Sequence, residues 1–277
     1  MNMAKRLSER CRQVLSRHGH VVLVAGLMAV WALLGPRVAA TLLLPVWVIA
    51  AQLIFFGSFE AARLRRRAWV GQYLVAASPW HRWLRGGLLM ALWHQGLAIL
   101  LALLLLVKLR LLPPVYWPVL LMSLVVLVII QQLLKRHLQR HVIGEYLAAL
   151  VRRLLVWPAG ALLALLLVLT ALWLPQPYLV GLGWEEAVIR HTSTAAGDGL
   201  LGAFERFGQA LELTQFWAMQ NALERRGLGQ GLILFGWFLL LLTQSAFAWA
   251  VVRLTVGADA LRDTLGHLRN AEGKDAP

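Results

Sequence analysis

Acidic residues are scarce in this chain: 13 Asp plus Glu stand against 27 Lys plus Arg, a formal net charge of +14. Their placement excludes more than their number does. The long apolar runs described below hold no Asp or Glu, which argues against proton- or sodium-coupled transport through a carboxylate at membrane depth, where ionisable groups are costly and mark function. Cysteine is nearly absent too. Cys11 is the only one, so neither an intrachain disulfide nor a thiolate metal cluster can form within the chain. Charged residues of both signs make up only 14%, against 60% apolar, a balance that excludes both disorder and a soluble core.

What is present is long apolar runs separated by short basic segments, the pattern of helices that satisfy their own backbones in lipid. The fold class predicted is all-α: a polytopic transmembrane helical bundle of about six spans, at 20–35, 38–57, 86–107, 115–134, 154–175 and 231–252. The first span is the shortest, with 21–35 uninterrupted after the basic residues Lys5, Arg6, Arg10, Arg12 and Arg17. That shape also fits a cleavable signal peptide, and Val38-Ala39-Ala40 resembles a cleavage site. Pro36 and Arg37 interrupt the approach to it, and a second span follows at once, so a tight membrane hairpin is preferred.

Basic residues set the orientation. They concentrate in the N-terminus, in 58–85 (Arg63, Arg65, Arg66, Arg67, Arg82, Arg85), in 135–153 (Lys135, Arg136, Arg140, Arg152, Arg153) and after 252 (Arg253, Arg262, Arg269, Lys274). The alternate connections carry Arg37 alone, then Lys108 and Arg110, then a long segment, 176–230, in which Arg190, Arg206, Arg225 and Arg226 are outnumbered by Glu185, Glu186, Asp198, Glu205, Glu212 and Glu224. The positive-inside rule therefore puts both termini in the cytoplasm and 176–230 outside. Short loops, the Arg bias and heavy use of Ala, Leu and Trp suit a bacterial inner membrane. Trp80, Trp83, Trp117, Trp157, Trp173 and Trp184 fall near span ends, where indoles anchor in the headgroup layer. In a soluble protein, +14 would suggest nucleic acid; here the partner expected of the basic clusters is a bilayer with anionic headgroups, and no specific nucleic acid.

Shifting the sequence by 73 residues aligns RAWVGQYLVA (67–76) with RHVIGEYLAA (140–149). The same register pairs Arg63 with Arg136, Pro45-Val46 with Pro118-Val119, and Gly87 with Gly160. This predicts a duplicated two-helix hairpin. Arg253-Leu-Thr-Val256-Gly257 suggests a third, weaker copy. The predicted organisation is a basic cytoplasmic N-terminus (1–19), hairpin repeats at 20–85 and 86–153, each with an interfacial helix, a third hairpin at 154–253 containing the outside insertion 176–230, and a cytoplasmic tail (254–277). Three hairpins share an outline with mitochondrial carriers, but the Pro-x-(Asp/Glu)-x-x-(Lys/Arg) signature is absent after every odd-numbered span, which excludes that family.

In the first two copies Arg67, Gly71, Gln72 and Tyr73, and Arg140, Gly144, Glu145 and Tyr146, are expected on helices lying in the membrane plane. Packing and anchoring are their default roles; the sharper possibility is a docking surface for a cytoplasmic protein. The outside segment shows helical periodicity from Asp198 to Arg226, with Leu200, Phe204, Phe207 and Leu211 on one stripe and Leu213, Phe216, Trp217 and Leu223 continuing it. This amphipathic helix is expected to lie on the outer leaflet, cover the bundle or meet a protein partner through Phe204, Phe207, Phe216 and Trp217.

Chemistry-bearing residues are few. His94 is the one ionisable side chain well inside a predicted span; with Gln95, and with Thr243 and Gln244 in the last span, it offers an intramembrane polar pathway or, more commonly, interhelical hydrogen-bond glue. His137 and His141 sit four apart, but Arg136 and Arg140 beside them oppose a metal cation. The run from His191 to Asp198 holds the residue types of a hydrolase triad in one local stretch, a spacing that means little for a site assembled across a fold. No enzyme activity, cofactor or metal is predicted. A non-enzymatic membrane subunit or scaffold is the leading expectation, and a transporter or channel for a small solute or lipid the alternative.

Overall fold

The computed structural model describes residues 2–73, 88–192, 199–222 and 229–272, with side chains at all of these except 2–17, 61, 64–73, 145 and 267–272. The described residues form eight helices and no strand: α1 (Asn2–Leu33), α2 (Pro36–Tyr73), α3 (Leu88–Leu111), α4 (Tyr116–Leu138), α5 (Gly144–Trp173), α6 (Trp184–His191), α7 (Leu200–Asn221) and α8 (Gly229–Glu272). The chain is an all-helical membrane bundle. Five stretches are long and apolar enough to cross a bilayer: Pro36–Glu60, Leu88–Leu111, Tyr116–Leu138, Tyr146–Trp173 and Gly229–Gly266. The first span expected from sequence, 20–35, corresponds to His18–Leu33, which is shorter. At 1.5 Å per residue it covers about 24 Å.

Proline and glycine punctuate the bundle as their chemistry requires. Pro36 begins α2, where its missing N–H costs nothing. The Pro113-Pro114 pair separates α3 from α4, and Pro175 follows the last turn of α5. Pro45 and Pro158 lie inside α2 and α5, a placement common in membrane helices, where neighbouring groups satisfy the freed carbonyl.

One apolar core joins α1 to α5, α7 and α8. Helix α1 contributes Val21, Val24, Met28 and Trp31, and the Trp31 indole donates to the Leu106 carbonyl of α3 at 2.9 Å. Helix α8 is the axle. It packs against α1, α2, α3, α5 and α7, and Leu240, Phe247, Ala248, Ala250 and Val251 along it are fully buried. Outward faces are apolar as well: Leu89, Trp93, Val48 and Leu169 are exposed, which a lipid solvent tolerates and water does not.

Three expected boundaries move. The last helix does not end near residue 252 in a tail; α8 runs unbroken to Glu272, and Leu254, Thr255, Val256 and Ala260 are buried against neighbouring helices. Arg253–Gly257 is thus mid-helix rather than a turn. The two better copies of the repeat differ locally: 67–73 continues helix α2, whereas Arg140–Ile143 forms the break between α4 and α5, and Gly144 opens α5. An interfacial helix across 140–149 is therefore not what forms. Helix α7, in the segment expected outside, is 22 residues long, and Asp198, Leu223 and Arg226 of the expected element lie outside the described residues.

Candidate functional site

Two groups of charges, one at each end of the bundle, connect helices that are remote in sequence. At the end where α2 begins and α3 ends, the Arg110 guanidinium of α3 pairs with Glu205 of α7, both nine-tenths buried, and donates to the Leu34 carbonyl at the end of α1 at 2.9 Å. Lys108 donates to Glu212 two turns along α7, also at 2.9 Å. These pairs hold α7 across the bundle. Its far end is tied down by amides. Gln220 and Asn221 accept from the backbone N–H groups of Leu179 and Gly181, and donate to the carbonyls of Pro177 and Leu179. Gly181 has φ near +80°, a conformation its lack of a Cβ permits.

At the opposite end, Arg152 of α5 is the hub. It donates to Asp263 Oδ2 at 2.6 Å and to Glu60 Oε1 at 2.9 Å, and lies 3.5 Å from Asp259 Oδ2. Asp259 also accepts from Gln131 of α4 and lies 3.4 Å from His20 of α1. Five helices thus meet through one guanidinium and three carboxylates. Asp259 and Asp263 also line a cavity of about 410 Å³, with His18, Lys135, Arg136 and Arg262 on its wall. A second cavity, of about 200 Å³, is lined by Arg152 itself together with Gly57, Ser58, His94, Arg153, Trp157 and Arg253 among others. It exists because α2 and α8 cross at glycines: a Cβ on Gly257 would sit 1.9 Å from the Leu53 carbonyl oxygen, and one on Gly57 3.0 Å from the Gly257 nitrogen. The crossing brings Arg253 Nη1 to within 2.5 Å of Ser58 Oγ.

A third cavity, about 300 Å³, lies between α3, α7 and α8. Leu100, Leu104, Val107, Phe204 and Phe207 line it, and the Lys108 and Glu212 pair and Thr243 supply its polar rim.

The residues expected to form an intramembrane pathway do not meet. His94 lines the cavity beside Arg253, whereas Thr243 belongs to the one beside α7, where it donates to Gln215 at 3.3 Å. Gln244, one residue on, is 1% exposed, and Gln95 lines neither cavity. Core residues intervene along both helices: Ala98 and Leu101 on α3, Phe247, Ala248 and Val251 on α8.

The expected docking residues are divided. Phe216 and Trp217 are buried in a second, smaller core with Leu179, Ala187, Leu213 and Ala218, and the Trp217 indole donates to the Leu182 carbonyl, so the chain's own fold consumes them. Phe204 is half-buried, edge-on to Trp47, while Phe207 is 64% exposed. Gly144 and Tyr146 lie at the exposed start of α5, and Arg140 in the exposed turn before it. The side chains of Arg67, Gln72, Tyr73 and Glu145 lie outside those described, and Gly71 lies in the same stretch of α2.

Sequence reasoning missed the hub. Arg152 falls in the basic connection 135–153, expected to meet headgroups, and the expectations from sequence give Glu60, Asp259 and Asp263 no role. The available signal was the i, i+4 spacing of Asp259 and Asp263, which puts both on one face of a helix that continues past residue 252. Compared with protein families, with curated proteins and with solved structures, the chain matches none.

Proposed function

We propose that this chain is a non-enzymatic integral membrane subunit or scaffold of a membrane-associated assembly. The observation that carries this proposal is the separation of the polar groups among the described residues: His94 and Thr243 line different cavities, with core side chains between them along α3 and α8. The charges inside the bundle are engaged in holding α1, α2, α3, α5, α7 and α8 to each other. On α7, Leu200 and Phe207 stand two turns apart on one face, 54% and 64% exposed, and form the apolar patch that a partner would cover.

The cell compartment and orientation belong to the same proposal. Residue contacts place His18 and His20 at the middle of α1, the end of α4, the start of α5 and the C-terminal part of α8 at one end of the bundle. That end is the basic one, which supports a cytoplasmic location for both termini in a bacterial inner membrane.

The test is purification of the tagged chain in mild detergent beside the double variant Leu200→Glu with Phe207→Glu. A stoichiometric protein partner that is retained by the natural chain and lost from the variant, with thermal stability unchanged, is the expected result. A chain that purifies alone in both forms would sink the proposal. The lipid-handling alternative has one observation in its favour, the apolar cavity between α3, α7 and α8. Under it, Gly208→Trp, which fills that cavity from α7, would abolish lipid transfer between vesicles while leaving partners bound.

A further inference from the structure

We propose that the cavity between α2, α3, α5 and α8 binds a phosphate-type oxyanion, with Arg253 and Arg153 as the groups that hold it. Among the described buried cations, Arg253 differs from the rest. Lys108 has Glu212, Arg110 has Glu205, and Arg152 has three carboxylates, whereas Arg253 has none. Its contacts are the Ser58 hydroxyl, which itself donates to the Ile54 carbonyl, and the face of Trp249, 5.0 Å from the guanidinium carbon. Its Nε is buried and has no hydrogen-bond partner. A guanidinium withdrawn from water without an anion is costly, and five fixed N–H donors in a planar fork match the oxygens of a phosphate or sulfate.

The surroundings favour the same ligand. Arg152, Arg153, Arg253 and His94 line the cavity with Ser58 and Gly57, and among the described residues no acidic side chain does. Arg153 is exposed and follows directly on the paired Arg152, so its charge is available. The geometry is rigid: Gly57 and Gly257 lock α2 to α8 beside Ser58, and Trp249 is pressed against Gly160, where a Cβ would come within 2.7 Å of the indole ring. Twenty-four residues of α8 separate Gly229 from Arg253, about 36 Å of helix, enough to cross the hydrocarbon and bring Arg253 to the headgroup layer. A lipid phosphate and a phosphate dissolved in the cytoplasm can both reach that depth, and basic pockets between helices on this side of a membrane suit anionic headgroups.

The two sources separate in one experiment. Thermal unfolding of the purified full chain is followed in detergent with added inorganic phosphate, and in nanodiscs of phosphatidylcholine with or without phosphatidylglycerol. Arg253→Gln and Arg153→Gln are compared with the natural chain, and Arg63→Gln, exposed on α2 and outside the cavity, controls for general surface charge. The prediction is a rise in unfolding temperature with at least one phosphate source, and apparent affinity weaker by about tenfold or more in either cavity variant, the loss of one or two charge-assisted hydrogen bonds. A rise with phosphatidylglycerol alone identifies a lipid headgroup; a rise with inorganic phosphate identifies a soluble oxyanion. If neither source stabilises the natural chain, or if Arg63→Gln weakens the effect as much as Arg153→Gln does, the site does not exist. Arg153, being exposed, keeps the test open should Arg253→Gln fail to fold.

Discussion

Glu205 and Arg110 are each about nine-tenths buried, and each is the other's counter-charge. Truncating one leaves the other stranded, which costs about 3–5 kcal/mol for a buried pair. Glu205→Ala is therefore expected to destabilise the protein by that amount in a reversible unfolding titration, whereas replacing both partners with apolar residues costs much less, because no charge is left alone. Arg152 is a milder case. It is 7% exposed, but Glu60 and Asp263 are more than a third exposed, so water screens part of the interaction, and Arg152→Leu is expected to cost about 2 kcal/mol. The basic residues themselves were legible in the sequence; their partners were not. Glu60 precedes Arg152 by 92 residues and Asp263 follows by 111, and no local pattern links charges across such distances. Each also lies beyond the expected end of its span, at 57 for Glu60 and at 252 for Asp263, where the helix in fact continues.

At the scale of elements, hydropathy located the spanning helices because a run of apolar residues in lipid has only one way to satisfy its backbone. It failed at their ends. Residues 254–266 mix Ala, Val and Leu with Asp259, Arg262 and Asp263, a composition that reads as an amphipathic tail, yet the charges are absorbed by α5 and α1 and the helix runs on. Helix α7 failed in the opposite sense. Its apolar stripe was visible, but Phe216 and Trp217 find their cover at Leu179 and Ala187, in a segment whose fold depends on Gln220 and Asn221. The α2 and α8 crossing makes a sharp prediction. Gly257→Ala must push the Leu53 carbonyl away and is expected to cost roughly 1–3 kcal/mol, as overpacking does. Gly96→Ala on α3, where a Cβ meets nothing within 4 Å, is expected to be neutral or to stabilise by up to about 1 kcal/mol. Equal effects in the two would mean that the helices do not meet at these glycines.

For the whole molecule, the arrangement is a bundle closed at both ends by charge and filled with apolar side chains between, with α8 as its axis. The proposed orientation predicts that a fluorescent protein fused after residue 277 is bright in bacterial cells, while alkaline phosphatase fused at the same point is inactive; the reverse pattern would invert the topology. The proposed subunit role predicts something finer, a difference between two aromatic residues ten positions apart on one helix. Phe207 faces outward and Trp217 is spent on the second core. A photo-crosslinking amino acid placed at each position in turn, and activated in living cells before any detergent is added, tests this directly. A discrete adduct of this chain with another protein from position 207 and none from 217 is the expected result; adducts from neither position, or from both alike, would contradict a partner docked on the exposed face of α7.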